Sequence, residues 1–267
     1  MPDSVPRYSS SPPVVTLRSV GKSFANGIVA LDRFDLDVRP GEFVSLLGPS
    51  GCGKSTALRI IAGLSEPTVG KIAWPQAEAA SAESPRHIGF VFQEPTLMPW
   101  ATVSANVRLP LKLQGLGSTA QPRVAAALAR VGLSGFAQSY PRELSGGMKM
   151  RTSIARALVT EPKLLLMDEP FAALDEITRF RLNNDLLALW QALGKTVVFV
   201  THSVFESVYL SQRIIVMTPR PGSVFAELAI DASYPRDERF RTSADYAAYC
   251  RRVSEALTRA AAAAARP

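Results

Sequence analysis

Cysteine is nearly missing from this sequence: Cys52 and Cys250 are the two in 267 residues. Two cysteines cannot form a disulfide scaffold, and so few suit a reducing compartment. Long apolar runs are also lacking, and no window approaches the roughly 18 residues that a membrane span needs. Residues 1–13 are rich in Pro and Ser without an apolar core. No signal peptide is therefore expected there, and the segment reads as a flexible leader. Basic residues are scattered and form no run, although Lys and Arg outnumber Asp and Glu by 30 to 23, giving a formal net charge of +7. That balance allows an anionic partner such as a nucleotide, a nucleic acid or a lipid headgroup, without choosing among them. No internal repeat is visible. These absences exclude secreted, collagenous, disordered and integral-membrane classes, and a soluble cytosolic protein is expected. What remains is ordinary globular composition, 47% hydrophobic and 20% charged, enough for one or two domains with a substantial core.

Strand patterns begin at Val14-Val15-Thr16-Leu17 and at the alternating Phe34-Asp35-Leu36-Asp37-Val38. Phe43-Val44-Ser45-Leu46-Leu47, Leu164-Leu165-Leu166-Met167 and Thr196-Val197-Val198-Phe199-Val200 are short apolar runs bounded by turn residues. Their length and flanks favour strands buried on both faces. Between them, Leu182, Leu186, Trp190 and Leu193 share one helical face, as do Val124, Leu128 and Val131. Strands alternating with helices predict an α/β fold with a largely parallel sheet. The mainly helical stretch from about residue 95 to 158 interrupts that alternation and reads as an inserted helical subdomain. Residues 76–84, bracketed by Pro75 and Pro85, read as a surface connection. Residues 236–267 read as a helical C-terminal extension ending in an alanine run.

Gly48-Pro49-Ser50-Gly51-Cys52-Gly53-Lys54-Ser55 fits the pattern G-x-x-x-x-G-K-[ST] between an apolar strand and the helical pattern of Leu58, Ile61 and Ala62. Glycines let such a backbone wrap closely and turn successive N–H groups toward phosphate oxygens. Lys54 then reaches the β and γ phosphates, and the Ser55 hydroxyl is placed to ligate Mg2+. With the helix N-terminus adding its dipole, this is a nucleotide-binding loop. Cys52 reads as a small residue that fits the loop.

A second candidate group starts at the end of the run 164–167, where Asp168 would hold the metal and Glu169 would polarise the attacking water as general base. Alone, the pair also reads as an acidic strand end before a turn. His202, just after the run 196–200, reads as a γ-phosphate contact at the carboxyl end of a buried strand. Gln93, after Ile88-Gly89-Phe90-Val91-Phe92, would offer a neutral amide to Mg2+ and to the water, or else cap a strand end. His87 receives no role. Leu144-Ser145-Gly146-Gly147-Met148 precedes a helix on which Ile154 and Leu158 share a face. Ser145 is a natural N-cap and the glycines leave the helix start open, so this is either a second anion site or only a capped helix.

Taken in order, these segments resemble the ATP-binding subunit of an ABC transporter over about residues 14–230. The Walker A loop (48–55), Q-loop (Gln93), signature (144–148), Walker B strand with Asp168-Glu169, D-loop (Ala173-Leu174-Asp175) and switch His202 all follow the family's order. The resemblance implies a P-loop NTPase fold over residues 14–235, with a RecA-like core, an antiparallel β subdomain and the inserted α-helical subdomain. It implies ATP and Mg2+ as ligands, with Ser55, Gln93 and Asp168 toward the metal. The implied ATP-binding set is Phe24, stacked on adenine or else an ordinary core residue, together with Gly48, Pro49, Ser50, Gly51, Cys52, Gly53, Lys54, Ser55 and Thr56. Two copies would pack head to tail, so that Ser145, Gly146, Gly147 and Asp175 reach the ATP held by the other copy. Glu169, His202 and Gln93 would carry hydrolysis.

Phe92-Gln93-Glu94-Pro95-Thr96-Leu97-Met98-Pro99-Trp100 and Met167-Asp168-Glu169-Pro170-Phe171-Ala172-Ala173-Leu174-Asp175 further resemble the nitrate/sulfonate/taurine branch of importers. The partners implied are a second copy of the chain, an integral-membrane permease that meets the Trp100 region, and indirectly an extracytoplasmic solute-binding protein; Trp100 itself is either a docking residue or a packed core residue. The location implied is the inner face of the cell membrane, and no nucleic acid is expected. Two rivals remain: a soluble ABC ATPase acting on nucleic acid or ribosomes, and a P-loop kinase. Met148 stands where Gln is common in the wider family, Ala172-Ala173 replaces Ser-Ala, and residues 74–86 lack the usual short Gly/Asp turn. None of these departures touches a proposed catalytic group.

Overall fold

The computed structural model describes residues 11–75 and 87–264, so the expected surface connection at 76–84 and most of the leader lie outside the described residues. The chain forms two compact units, Met1–Arg86 with Thr196–Pro267, and His87–Lys195. In chain order the first unit begins with β1 (Val15–Ser23), β2 (Val29–Val38), β3 (Phe43–Leu47), α1 (Lys54–Ile61) and β4 (Val69–Ala73). The second comprises β5 (Ile88–Val91), α2 (Val103–Leu113), α3 (Ala120–Arg130), α4 (Gly146–Leu158), β6 (Leu164–Asp168) and α5 (Glu176–Leu193). The chain then returns to the first unit with β7 (Thr196–Thr201), α6 (Val204–Leu210), β8 (Arg213–Met217), β9 (Val224–Ala229), α7 (Glu238–Arg241) and α8 (Ala244–Ala264). Strands β5, β3, β6 and β7 coincide with the apolar runs read from the sequence.

Within the first unit, β3 runs parallel to both β7 and β8, and β9 closes the edge antiparallel to β8. Every residue of β3, β7 and β8 is buried, as expected for parallel strands covered on both faces. A separate antiparallel sheet has the order β2-β1-β4. There the alternation expected at 34–38 is visible: Phe34, Leu36 and Val38 are buried while Asp35 and Asp37 are not. Helix α8 buries Tyr246, Cys250, Val253, Ala256 and Ala260 at helical spacing and packs against α6, β8 and β9. Its alanines are thus partly packing residues and not only a compositional run.

A buried ion pair ties this unit together. Arg213, the first residue of β8, donates through Nε to Glu42 Oε1 at 2.6 Å and through Nη2 to Glu42 Oε2 at 2.9 Å. Its Nη1 reaches Glu227 of β9 at 2.9 Å, and Glu42 Oε2 also accepts from Arg39 N. Burial works against the Arg213 charge, but the hydrogen bonds and charge of Glu42, with Glu227, outweigh it and hold the guanidinium above its ordinary pKa.

In the second unit β5 and β6 are parallel partners. Helix α5 buries Leu182, Leu186 and Trp190 as the spacing predicts, with Leu193 half-buried near its end. Helices α2, α3 and α4 pack on one another, and α3 buries Val124 and Leu128. No helix of the described residues is long and apolar enough to cross a membrane.

Candidate nucleotide site

The phosphate loop connects β3 to α1. Gly53 occupies the N-cap of α1 at φ 103°, a conformation that side chains rarely adopt, and a Cβ there would lie 2.6 Å from Ala30 O. Lys54 is 4% exposed, and its ammonium turns back over the loop to donate to Gly48 O and Pro49 O, each at 2.9 Å. The ammonium is therefore held against the first two residues of the loop. Ser55 follows half-buried in the first turn of α1, with Thr56 next to it. Cys52 is fully buried, in keeping with a residue that fits.

Two groups that the motif does not contain brace this loop. Arg220 Nε donates to Gly51 O at 3.1 Å. Gly222 exchanges backbone hydrogen bonds with the strand below the loop, donating to Ala30 O and accepting from Asp32 N. A Cβ at Gly222 would lie 1.9 Å from Cys52 O. The Arg-Pro-Gly turn after β8 was the available sequence signal, but its approach to Cys52 spans 170 residues of chain. Gly222→Ala is expected to push the loop out of place, destabilising the protein by about 1–3 kcal/mol and weakening ATP binding. Denaturant unfolding and nucleotide titration would measure the two effects, and unchanged affinity would show that Gly222 does not hold the loop.

His202 lies at the carboxyl edge of the same sheet. The parallel register pairs Leu47 with Thr201, so the start of the phosphate loop and the exposed His202 leave adjacent strands at the same level. This is the edge at which open parallel sheets bind ligands. Phe24, in the same unit, follows β1 and is 44% exposed, with Lys22 Nζ 5.5 Å from its ring centroid. It is not a core side chain.

The second unit brings the remaining groups to two places. At the carboxyl ends of β5 and β6 the register Val91↔Met167 sets Gln93 and Glu169 each two residues beyond a paired position. Asp168 is 7% exposed at the end of β6. Glu169 is half-buried and has φ 44°, a left-handed conformation costly for a non-glycine residue and concentrated at functional sites. The second place is the start of α4. Ser145 Oγ accepts from Met148 N at 3.3 Å as the N-cap. A Cβ on Gly147 would meet Thr178 Cγ2 at 2.9 Å, and one on Gly146 would meet Leu174 Cδ2 at 3.2 Å. The glycines are thus needed for the close approach of the segment that carries Asp175. Asp175 caps α5 by accepting from Thr178 N at 2.9 Å, and that bond holds its carboxyl below the ordinary aspartate pKa.

Among the described residues no group of three or more His, Cys, Asp or Glu side chains could hold a metal. Ser55 in the first unit, and Gln93 and Asp168 in the second, each carry an oxygen donor of the hard kind that Mg2+ prefers, an ion that keeps several waters and shares its coordination with phosphates. Trp100 is 77% exposed, so it too is no core residue. Met98, Trp100, Ala105 and Leu109 line an open groove of about 540 Å³ with Arg108 and Lys112 beside them.

The chain is similar to known proteins in sequence and in fold. The family model described as ABC transporter matches residues 31–172. An uncharacterised ABC transporter ATP-binding protein of Methanocaldococcus jannaschii is 46% identical, over 91% of this chain and 90% of that protein. The aliphatic sulfonates import ATP-binding protein 1 of Pseudomonas syringae pv. syringae is 45% identical, over 85% of this chain and 90% of that protein. A dimeric ATP-binding cassette solved in a post-hydrolysis state with ADP and inorganic phosphate is similar in structure, with a TM-score of 0.70 and 36% identity. It aligns over 82% of this chain and 100% of that chain.

Proposed function

The chain belongs to the ABC transporter family as an ATP-hydrolysing, ATP-binding subunit, and from that premise we propose that it powers import of a small sulfonate-like solute through a separate membrane permease. Two copies would form the working unit, peripheral on the inner face of the cell membrane, with a solute-binding protein delivering the cargo outside. The relative named for aliphatic sulfonate import supports the solute class, and the dimeric cassette of similar structure supports the pairing. The observation that carries the docking part is Trp100, exposed and lining one open groove with Met98, Ala105 and Leu109, since it is apolar side chains gathered in one patch, and not a single exposed one, that mark an interaction site.

The chain's own residues divide the chemistry. Lys54 and the N–H groups of loop 48–55 bind and orient the β and γ phosphates, and Phe24 stacks on the base. Ser55, Gln93 and Asp168 would hold Mg2+, which would neutralise negative charge on the phosphates. Glu169 takes the proton of the attacking water, and His202 contacts the γ-phosphate. Ser145, Gly146 and Gly147, with Asp175 beside them, would present the open start of α4 to ATP held by the other copy. ATP then binds the closed pair better than the open one, and that difference in affinity closes it.

Ser145→Arg fills the open helix start with a long side chain while leaving loop 48–55 untouched. It is expected to keep ATP binding by the single subunit, prevent the ATP-dependent dimer, and lower hydrolysis by about 100-fold, the scale of losing a donor to the reacting phosphate. Light scattering with and without ATP, beside a binding titration, checks it. Loss of binding in the monomer would argue against a site completed by the other copy. The transport reading itself is tested by tagging the subunit, solubilising native membranes in mild detergent and identifying what co-purifies. A multi-span membrane protein supports it. Recovery only with ribosomes or nucleic acid in the soluble fraction would overturn it.

A further inference from the structure

The turn that carries His202 is closed by side chains. β7 ends at Thr201, and Ser203 is the N-cap of α6. Thr201 Oγ1 donates to Glu206 Oε2 at 2.5 Å and accepts from Ser203 N at 3.0 Å. Ser203 Oγ in turn accepts from Glu206 N at 3.3 Å. Thr201 and Glu206 are buried, at 2% and 8% exposure, and Ser203 is half-buried, while His202 in their midst is exposed. Ser203 alone would cap the helix, so helix formation does not require the buried carboxylate of Glu206. A charge-bearing group is costly to bury unless hydrogen-bonded, and here the bond is spent on the residue immediately before His202.

The far end of α6 is held independently. Arg236 Nη1 donates to the carbonyls of Val208, Tyr209 and Ser211, and α6 packs on β3 and β7. The helix is thus anchored at its carboxyl end whatever happens at its start.

We propose that Glu206 is a positioning residue for hydrolysis: by holding Thr201 it fixes the turn between β7 and α6 and keeps the His202 imidazole at the level of the phosphate loop. This rests on the role given above to His202. Without the bond the turn stays attached to a rigid strand and a rigid helix but no longer has one conformation. Reaction geometry is sensitive to such loosening, since a displacement of about 1 Å can cost as much as 100-fold in rate. Ground-state binding, which falls mainly to loop 48–55, is little affected.

The test compares kcat and KM for ATP hydrolysis, with thermal melts, in the full chain. Glu206→Ala, which removes the bond from the carboxylate side, and Thr201→Val, which removes it together with the acceptor for Ser203 N, are each expected to lower kcat about 10-fold with KM within about twofold. Glu206→Gln keeps an acceptor oxygen for Thr201 and should recover most of the rate. Glu206→Ala in a His202→Ala background should cost nothing further, because the lost interaction acts through His202. If Glu206→Ala does not fold, Thr201→Val, close to the native shape, decides on the same criteria, alone and in the His202→Ala background. Unchanged kcat, or losses that multiply in the double variant, would overturn the positioning role alone. Full activity of His202→Ala by itself would overturn the reading of His202 and this role with it.

Discussion

Glu169→Gln is expected to bind ATP as tightly as the parent, hydrolyse it about 100- to 10,000-fold more slowly, and accumulate as an ATP-bound dimer. The amide has the shape of the carboxylate and can still hold a water by hydrogen bond, but it cannot take the water's proton, and general base catalysis is worth a factor of that size. The groups proposed to bind the phosphates, Lys54 and the rest of loop 48–55, are unchanged by the substitution. Dimer accumulation follows from the same premise as closure. If ATP favours the closed pair and hydrolysis is what ends that preference, a subunit that binds without hydrolysing stays closed.

The left-handed backbone of Glu169 makes this a sharper test than a generic carboxylate substitution. Gln carries the same backbone cost at φ 44° as Glu, so the variant does not relieve strain and should melt near the parent temperature. Phosphate release under single-turnover conditions, with the dimer followed by gel filtration in ATP, reads both arms. Hydrolysis at the normal rate would remove Glu169 as the base.

How far the molecule was legible in its sequence depends on how far apart in the chain the interacting parts stand. The strands 43–47, 164–168 and 196–201 are mostly apolar, broken by Ser45, by the terminal Asp168 and by Thr196 and Thr201, and are bounded by turn residues, so each declares itself. The phosphate loop does likewise, since its glycines and Lys54 work within a few residues of one another. β8 escapes the same test because it opens on Arg213, a charge that reads as exposed until Glu42, 171 residues earlier, is brought against it. The brace on the phosphate loop is hidden for the same reason: only the folded chain puts Gly222 against Cys52. Phe24 and Trp100 illustrate a different limit. Sequence left each open between a packed core residue and a contact surface, and their exposure of 44% and 77% rules out the core for both.

Arg213→Met is expected to destabilise the protein by about 3–5 kcal/mol, the cost of stranding a buried charge by removing its partner. Glu42 is 3% exposed, so once Arg213 is gone its carboxylate has neither water nor a counter-charge of equal quality. The neighbouring Arg39 N–H satisfies one oxygen only in part. Adding Glu42→Leu to Arg213→Met should return most of the loss, because a buried pair replaced as a whole by apolar side chains is often near neutral. Glu227, half-exposed on β9, loses a partner but regains water, and contributes little to the difference. The effect should also reach the nucleotide site. Glu42 immediately precedes β3, Arg213 pairs with Val44 across the β3–β8 register, and β3 leads directly into the phosphate loop. Loosening that register should therefore weaken ATP binding in Arg213→Met and restore it in the double variant. Denaturant midpoints and nucleotide titrations on the three proteins measure the coupling. Equal stability in Arg213→Met would mean that the pair does not hold the sheet, whereas lost stability with unchanged ATP affinity would mean that it holds the sheet without setting the loop.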